Sequence, residues 1–278
     1  MSSNHSKVVL LTGANRGLGQ TLASLIVARS EPITLYASSR DGIDLKFAAK
    51  HPNTTVVYIR LDITDQVAVD NARKLITESE GRLDVLINNA GVSYEEFDNS
   101  TFAPGLVKKT LESNYYSVAR MLKVFIPLMP PGGRIVNLTT SGTFQMTMPN
   151  AELKKRLWDN QPDVTELNAL ADEYLKSSGS VADEHDGWLK SGFWPAYCTA
   201  KALVNLLTAS EARRNPKLLI NAACPGIVAT GMAIPGRGAK PPREGARLPM
   251  RLAFDDIDGV SGKFWAGRSS TDNGPGEV

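Results

Sequence analysis

A glycine-rich turn between an apolar run and an amphipathic stretch constrains this chain more than any other feature. Val8-Val9-Leu10-Leu11 leads into Thr12-Gly13-Ala14-Asn15-Arg16-Gly17-Leu18-Gly19, and Gln20 to Ala28 follows. Run, turn and stretch read as strand, tight loop and helix, the order that a nucleotide phosphate site needs. Glycine at 13, 17 and 19 lets the backbone turn sharply and approach a pyrophosphate closely. The helix that follows points its free N–H groups and the positive end of its dipole at that anion. Three glycines at this spacing are weak evidence alone; the strand before and the helix after give them weight.

The downstream pattern keeps the same rhythm. Leu18, Leu22, Leu25 and Ile26 fall on one face of the first helix, the spacing of a buried stripe. Glu31-Pro32 breaks that helix, and Ile33–Ser38 reads as a second strand with Arg40 and Asp41 beyond its end. A helix-like segment is expected around Leu45–Lys50, then a third strand over Thr55–Leu61 that finishes at Asp62. Thr64 and Asp65 can cap a helix reaching about Glu80. Asp84-Val85-Leu86-Ile87 is a short fourth strand, closed by Asn88-Asn89-Ala90-Gly91. A long helix from about Leu106 to Leu128 carries Asn114 in its middle and stops at Pro130-Pro131-Gly132-Gly133.

Arg134–Leu138 is a fifth strand, and Thr139-Thr140-Ser141-Gly142 sits at its C-terminal edge, where open α/β sheets place ligand chemistry. Between Thr143 and Trp194 the strand signal vanishes, and Glu152–Trp158 and Val164–Leu175 look like two charged helices split at Gln161-Pro162. Tyr197–Arg214 is a further helix, Leu218–Ala222 a sixth strand, and Gly262–Ala266 a seventh. The Ser-, Gly- and Asp-rich tail from Arg268 is expected to be poorly ordered. Strands alternating with helices in this way imply right-handed βαβ units and a parallel sheet.

Composition narrows the function classes. With 278 residues, 42% of them hydrophobic, the chain has ample material for a core. A net charge of +2 gives no reason to expect a nucleic-acid or anionic-membrane surface. Cys198 and Cys224 are the only cysteines, and His5, His51 and His185 are scattered, so neither a disulfide framework nor a metal site is expected. The polar Met1–Lys7 stretch and the lack of a bilayer-length apolar run predict a soluble, cytoplasmic protein.

Tyr197 and Lys201 lie four apart at the start of a helix, so both side chains share one face. A tyrosine titrates near ~10, too high for proton exchange at neutral pH. A lysine ammonium held beside it favours the phenolate and brings the phenol towards what a general acid or base needs. A solvated helix face would explain Tyr-x-x-x-Lys on its own. Together with the glycine turn, Asn88–Gly91, Asn114 and the hydroxyls after strand five, coincidence is not credible.

This set of motifs, in this order, resembles the short-chain dehydrogenase/reductase family, and specifically its carbonyl reductase branch, from Lys7 to about Arg268. The resemblance implies a Rossmann-type doubly wound parallel α/β sheet of about seven strands, in a single domain spanning 1–278. Residues 143–194 are similar to the helical insertion that keeps carbonyl reductases monomeric, and 226–255 form the substrate-loop region. Gly13, Asn15, Arg16, Gly17, Leu18 and Gly19 would then be the cofactor turn, and Asn89, Ala90 and Gly91 part of the sheet-stabilising motif. Pro225, Gly226, Ile227, Val228 and Thr230 would grip the nicotinamide. Tyr197 would protonate a carbonyl oxygen as hydride arrives from the nicotinamide C4. Lys201 would lower the phenol pKa and bond the ribose hydroxyls, and the carbonyl of Asn114 would hold a water that links Lys201 to solvent.

The fourth catalytic position departs from the family pattern. The usual serine is replaced by Thr140, which keeps a hydroxyl for the substrate oxygen but has a stiffer side chain. Ser141 serves instead if the strand end is bulged by one residue.

For the cofactor, the end of strand two has no acid until Asp41, while Arg16 and Arg40 form a two-pronged clamp for a 2′-phosphate with Ser39 as a further donor. This pattern predicts NADPH, unless both arginines are simply solvated. Asp62, with Ile63 beside it, is placed either to accept from the adenine amino group or to cap the next helix. Candidate substrate-pocket residues are Phe144, Met146 and Met148, Phe193 and Trp194, and Met232 with Ile234, a set suited to bulky ketones or quinones unless most of them are core. Trp158 and Trp188 read as packing residues. The expected function is reduction of a small-molecule carbonyl by NADPH; the competing readings are a reductase dedicated to one substrate and a cofactor-binding protein that has lost redox chemistry.

Overall fold

The computed structural model describes residues 6–95, 102–143, 151–159, 161–179, 187–188, 190, 194–233, 238–267 and 275–276. Its centre is a sheet of order β3-β2-β1-β4-β5-β6-β7-β8. The first seven strands are β1 (Lys7–Thr12), β2 (Ile33–Ser39), β3 (Thr55–Arg60), β4 (Val85–Asn88), β5 (Arg134–Leu138), β6 (Leu219–Cys224) and β7 (Phe264–Ala266). They pair in parallel throughout. Pro275–Gly276, β8, adds an antiparallel two-residue edge to β7. Strand order reverses between β1 and β4, the switch point at which such sheets open a crevice for a dinucleotide.

Alternation along the strands feeds two cores. Val9 and Leu11 of β1 face the side where α1 (Gly17–Val27) contributes Leu22 and Ile26. Val8 and Leu10 face the other side, against α2 (Gln66–Glu80) and the long helix formed by α3 (Pro104–Leu111) and α4 (Ser117–Phe125). Covering both faces explains why the strands are apolar almost throughout. The side chain of Asp65 accepts from the Val67 N–H and caps α2, and Gly81, at φ 68°, ends it, a left-handed stop that glycine makes easily.

The insertion contributes α5 (Ala151–Lys154), which continues as a wider π turn over Lys155–Asp159, and α6 (Val164–Ser177). Asp163 and Glu166 close a reciprocal capping box at the start of α6. Leu167, Leu170 and Tyr174 of α6 join the same core as α3 and the helix α7 (Pro195–Arg214). Trp188 is buried there too, with its ring 5.0 Å from that of Tyr174. Two short helices, α8 (Pro242–Gly245) and α9 (Arg247–Phe254), lie between β6 and β7. No helix among the described residues is long and apolar enough to cross a membrane.

Four local expectations are corrected. No helix forms over Leu45–Lys50: the Phe47 N–H donates to the Tyr58 hydroxyl at 2.8 Å and the Lys50 N–H to the Val27 carbonyl at 2.9 Å. A segment this short cannot nucleate a helix alone, and these long-range partners take its donors. Strand β6 runs on through Cys224, two residues beyond the expected end. Strand β7 starts at Phe264, because Gly262 turns at φ 77° and its N–H reaches the Ile220 carbonyl. The catalytic-motif helix begins at Pro195, so Tyr197 sits inside its first turn. The expected disordered tail, Phe144, Met146, Met148, Phe193, Ile234 and the Trp158 side chain lie outside the described residues, apart from the paired 275–276.

Candidate active site

The turn between β1 and α1 is shaped by sterics. Gly13 and Gly17 take φ of 69° and 56°, the left-handed region that side chains disfavour. Gly19 is required for a different reason: a Cβ there would lie 2.0 Å from the Gly13 carbonyl oxygen and 2.5 Å from the Asn89 amide nitrogen. No side chain caps α1 at Arg16, so its first N–H groups are left to meet an anion. Asn89 ties the turn to β4, donating through Nδ2 to the Thr12 and Gly13 carbonyls at 2.8 and 3.2 Å. The Thr12 hydroxyl accepts from the Asn89 and Ala90 N–H groups at 3.0 Å each and donates to the Ile87 carbonyl. A Cβ on Gly13 would meet the Ala90 Cα at 3.1 Å, so the two loops touch.

Beside this turn lies the end of β2, held by the Ala14 N–H on the Ser38 carbonyl at 2.8 Å. Arg16 and Arg40 are both exposed, and among the described residues neither makes an ion pair. The Ser39 hydroxyl donates to the Asp41 carboxylate and accepts from the Gly42 N–H at 3.0 Å. That bond, with help from Asn15, holds the Asp41 carboxyl below its usual range. Asp62 accepts from the Thr64 N–H and hydroxyl at 2.9 and 2.7 Å, a local turn. The cap of α2 belongs to Asp65 instead. The Ile63 carbonyl accepts from Arg120 at 2.9 Å, and Leu18 packs at the margin of the α1 core.

The sheet's C-terminal edge carries a buried polar ladder. Asn88 donates to Asn137 at 2.8 Å, and Asn137 donates to Thr208 of α7 at 2.9 Å. Between α3 and α4 the helix widens to a π turn over Glu112–Tyr116, which contains Asn114. Such bulges often mark functional positions. The Asn114 side chain is fully buried, donating to the Val92 and Thr110 carbonyls and accepting from the Val92 N–H at 3.2 Å. A Cβ on Gly91 would lie 2.8 Å from Asn114 Oδ1 and 3.2 Å from Lys201 Nζ. Gly91, Asn114 and Lys201 therefore converge on one point.

Lys201 is 2% exposed; its ammonium donates to the Leu138 carbonyl at 2.9 Å and lies 5.7 Å from the centre of the Tyr197 ring. Burial pushes the Lys201 pKa down to about 8. Tyr197 keeps part of its surface exposed, yet the protein around it, with Cys198 and Cys224 adding to the effect, pushes its phenol well above the usual range. The net shift is thus upward, opposite to the lowering expected beside Lys201. Desolvation disfavours the charged form of both groups and outweighs one ammonium at this separation.

After β5 the Thr140 hydroxyl accepts from the Gly142 N–H at 3.2 Å, while Ser141 is exposed and accepts from the Cys224 thiol at 3.6 Å. A Cβ on Gly142 would meet the Cys198 sulfur at 3.4 Å and the Thr140 hydroxyl at 3.5 Å, so Thr140 faces the start of α7. The loop after β6 folds back over the glycine turn: a Cβ on Gly17 would meet the Thr230 methyl at 3.3 Å. Gly226 turns at φ 75°, and Ile227 and Ala229 exchange main-chain bonds with Lys240 at 2.9 Å, pinning Val228 between them. Pro225 follows the end of β6. The Trp194 ring stands edge-on to Tyr197 at 5.8 Å, and Met232 is exposed beyond Thr230.

Two contributors escape sequence reading: the Leu138 carbonyl and the Glu95 carboxylate, which reaches the backbone of α7. Neither stands in a local pattern; only the folded sheet brings them here.

The sequence family described as short chain dehydrogenase matches residues 7–152, which include the glycine turn, Asn88–Gly91, Asn114 and the Thr140 edge. Carbonyl reductase (NADPH) 1 of Mus musculus is 28% identical over 269 residues, covering 94% of this chain and 96% of its own length. Short-chain dehydrogenase/reductase 1 of Saponaria officinalis is 29% identical over 289 residues, covering 93% of each. Among solved structures, salutaridine reductase from Papaver somniferum matches with a TM-score of 0.76 and 25% identity, over 93% of this chain and 99% of that one. With more than half of its length matched and the motif residues assembled at one sheet edge, the chain belongs to the short-chain dehydrogenase family.

Proposed function

We propose that this protein is an NADPH-dependent carbonyl reductase that converts a ketone, aldehyde or quinone to the alcohol. The observation that carries the reading is the convergence of Tyr197, Lys201, Asn114 and Gly91 beside a phosphate turn flanked by two exposed arginines. The relatives named carbonyl reductase (NADPH) 1 support both cofactor and reaction. The residues fit the dinucleotide: the glycine positions leave a cradle that a Cβ would fill, and the N-terminus of α1 is uncapped.

Bound there, NADPH supplies the hydride from its nicotinamide C4. Gly13, Asn15, Gly17, Leu18 and Gly19 would hold the pyrophosphate, with the dipole of α1 favouring the anion. Arg16 and Arg40 clamp the 2′-phosphate, since guanidinium forks match its oxygens. In this arrangement Ser39 is not a free donor, because its hydroxyl proton is already given to the Asp41 carboxylate. Asp62 and Ile63 flank the adenine; Ala90, Gly91 and the Pro225–Thr230 loop flank the nicotinamide.

Tyr197 donates its proton to the carbonyl oxygen as hydride adds to the carbonyl carbon, so the product leaves as a neutral alcohol. Lys201 stabilises the phenolate left behind and bonds the ribose hydroxyls, and the Asn114 π turn opens a route for reprotonation. Thr140 binds the substrate oxygen, because it is the hydroxyl facing the start of α7. Trp194, edge-on to Tyr197, and Met232, exposed beyond Thr230, would offer apolar contacts to a bulky substrate. The protein works as a cytoplasmic monomer, with α6 packed over α3 and α7 where family dimers associate.

The test is NADPH consumption over a panel of quinones, aldehydes and ketones. Tyr197→Phe should reduce turnover by roughly 10²–10⁴-fold, the usual worth of a positioned general acid. Thr140→Ala should impair turnover far more than Ser141→Ala, and the reverse order would assign the hydroxyl to Ser141. Saturable NADPH binding without turnover of any carbonyl would overturn the reductase reading.

A further inference from the structure

Glu95 lies in the loop that follows Gly91, and it is buried to 6% exposure. Both of its carboxylate oxygens are spent on the first turn of α7: Oε1 accepts from the Ala196 N–H at 3.0 Å and Oε2 from the Tyr197 N–H at 2.8 Å. The helix has no cap of its own. Trp194 occupies the cap position in a left-handed conformation, φ 45°, and its side chain makes no capping bond. Pro195, the first helical residue, has no N–H to satisfy, and the Cys198 N–H already bonds the Trp194 carbonyl at 2.9 Å. Ala196 and Tyr197 are thus the two orphan donors of this helix end, and one side chain from a remote loop takes both.

The same loop is anchored on the catalytic side. Gly91 abuts Lys201 and Asn114, and Val92 is bonded through its N–H and its carbonyl to the Asn114 side chain. Ser93 then turns the chain, its hydroxyl accepting from the Glu95 N–H at 3.3 Å. Residues 91–95 therefore run as a short strut from the Asn114–Lys201 centre to the backbone nitrogen of Tyr197. Placing a carboxylate here is costly, and burial holds the Glu95 pKa above its usual value. The helix dipole and the two donors offset that cost.

We propose that Glu95 is a positioning residue for proton transfer: its carboxylate fixes the first turn of α7, and through it the place of the Tyr197 phenol over the substrate. The proposal rests on the reading of Tyr197 as general acid. Proton transfer needs the donor within hydrogen-bond reach of the carbonyl oxygen, and a misplacement near 1 Å costs on the order of 10²-fold.

The test uses the full chain with saturating NADPH and compares wild type, Glu95→Ala, Glu95→Gln and Tyr197→Phe. Amide exchange at Ala196 and Tyr197 should be about tenfold faster or more in Glu95→Ala, from loss of charge-assisted bonds, with later amides of α7 unchanged. Turnover per NADPH-binding site should fall about 10- to 100-fold, the NADPH dissociation constant should stay within about twofold, and the solvent deuterium isotope effect on kcat should rise. Glu95→Gln, which keeps one acceptor oxygen, should fall between wild type and Glu95→Ala, and it carries the test if the alanine variant fails to fold. A merely structural role would lower the melting temperature and the fraction of binding sites while leaving kcat per site and the isotope effect unchanged. That result, with Tyr197→Phe inactive, overturns the inference and leaves the reductase reading intact. If wild type reduces no carbonyl, the reductase reading and the catalytic role of Glu95 fall together, and unchanged exchange at Ala196 and Tyr197 would remove the strut as well.

Discussion

The glycine turn and the start of α7 face each other across one site and are held by opposite means. At the turn, shape is everything: Gly19 touches the Gly13 carbonyl, Asn89 bonds the backbone, and the charged groups, Arg16 and Arg40, stand outside in water. At α7, charge is inside. Glu95 and Lys201 are both buried, and among the described residues neither makes an ion pair; Glu95 accepts from two backbone N–H groups and Lys201 donates to a backbone carbonyl. The main chain supplies the counter-dipoles in each case. The difference teaches that the fold of the cofactor side tolerates changes of charge but not of volume, while the catalytic side is sensitive to charge at constant volume.

Gly19→Ala gives the largest expected effect. Its Cβ would collide with backbone that Asn89 holds in place, so the variant should lose roughly 3 kcal/mol or more, the upper range for overpacking, along with NADPH binding. Gly105→Ala is the control: a Cβ there meets nothing within 4 Å on the exposed side of α3, and helix propensity should add about 0.5–1 kcal/mol. Urea midpoints and NADPH fluorescence titration measure both, and a normally stable, NADPH-binding Gly19→Ala would break the comparison. Arg16→Ala combined with Arg40→Asp should come next. Two charge-assisted bonds lost, each discounted by solvent at these exposed positions to about 1 kcal/mol, weaken NADPH by about 10- to 100-fold, with NADH nearly unaffected and stability unchanged. Equal loss of the two cofactors would refute the clamp and leave the arginines as solvated charges.

The same contrast explains what was legible in the sequence. The turn is local: eight consecutive residues, Thr12 to Gly19, carry its geometry, and the strand before and helix after confirm the reading. The alternation of apolar strands with helices was equally plain, and so were the insertion helices on either side of Gln161-Pro162. The start of α7 is different. Tyr197 and Lys201 announce themselves by spacing, but Glu95 lies 102 residues from Tyr197, and no periodicity marks it. Spacing also misjudged the electrostatics, since it shows that Lys201 is near the phenol but not how strongly the surrounding protein desolvates the two groups. Over Leu45–Lys50 the expected helix failed because the Tyr58 hydroxyl and the Val27 carbonyl, both remote in sequence, take its donors.

The titration of Lys201 is the most direct test of buried charge. Lys201 titrates at about 8 in the folded protein against 10.5 for an exposed lysine, because burial disfavours its ammonium. Between these values the unfolded chain holds a proton that the folded chain has released, so stability rises with pH, by at most about 1.4 kcal/mol per unit. Below about 8 both states carry the proton, and the folded state bears the full cost of the buried ammonium. Lys201→Met keeps the side-chain length and removes the charge. With no nucleotide added, this variant should be more stable than wild type at pH 7, and the gap should close as pH rises from 8 towards 10.5. Urea midpoints at intervals across this range measure the gap, and taking the difference from wild type cancels the other titrating groups that the two proteins share. A gap that does not change with pH would mean that the Leu138 carbonyl and the Tyr197 ring fully offset the desolvation of Lys201.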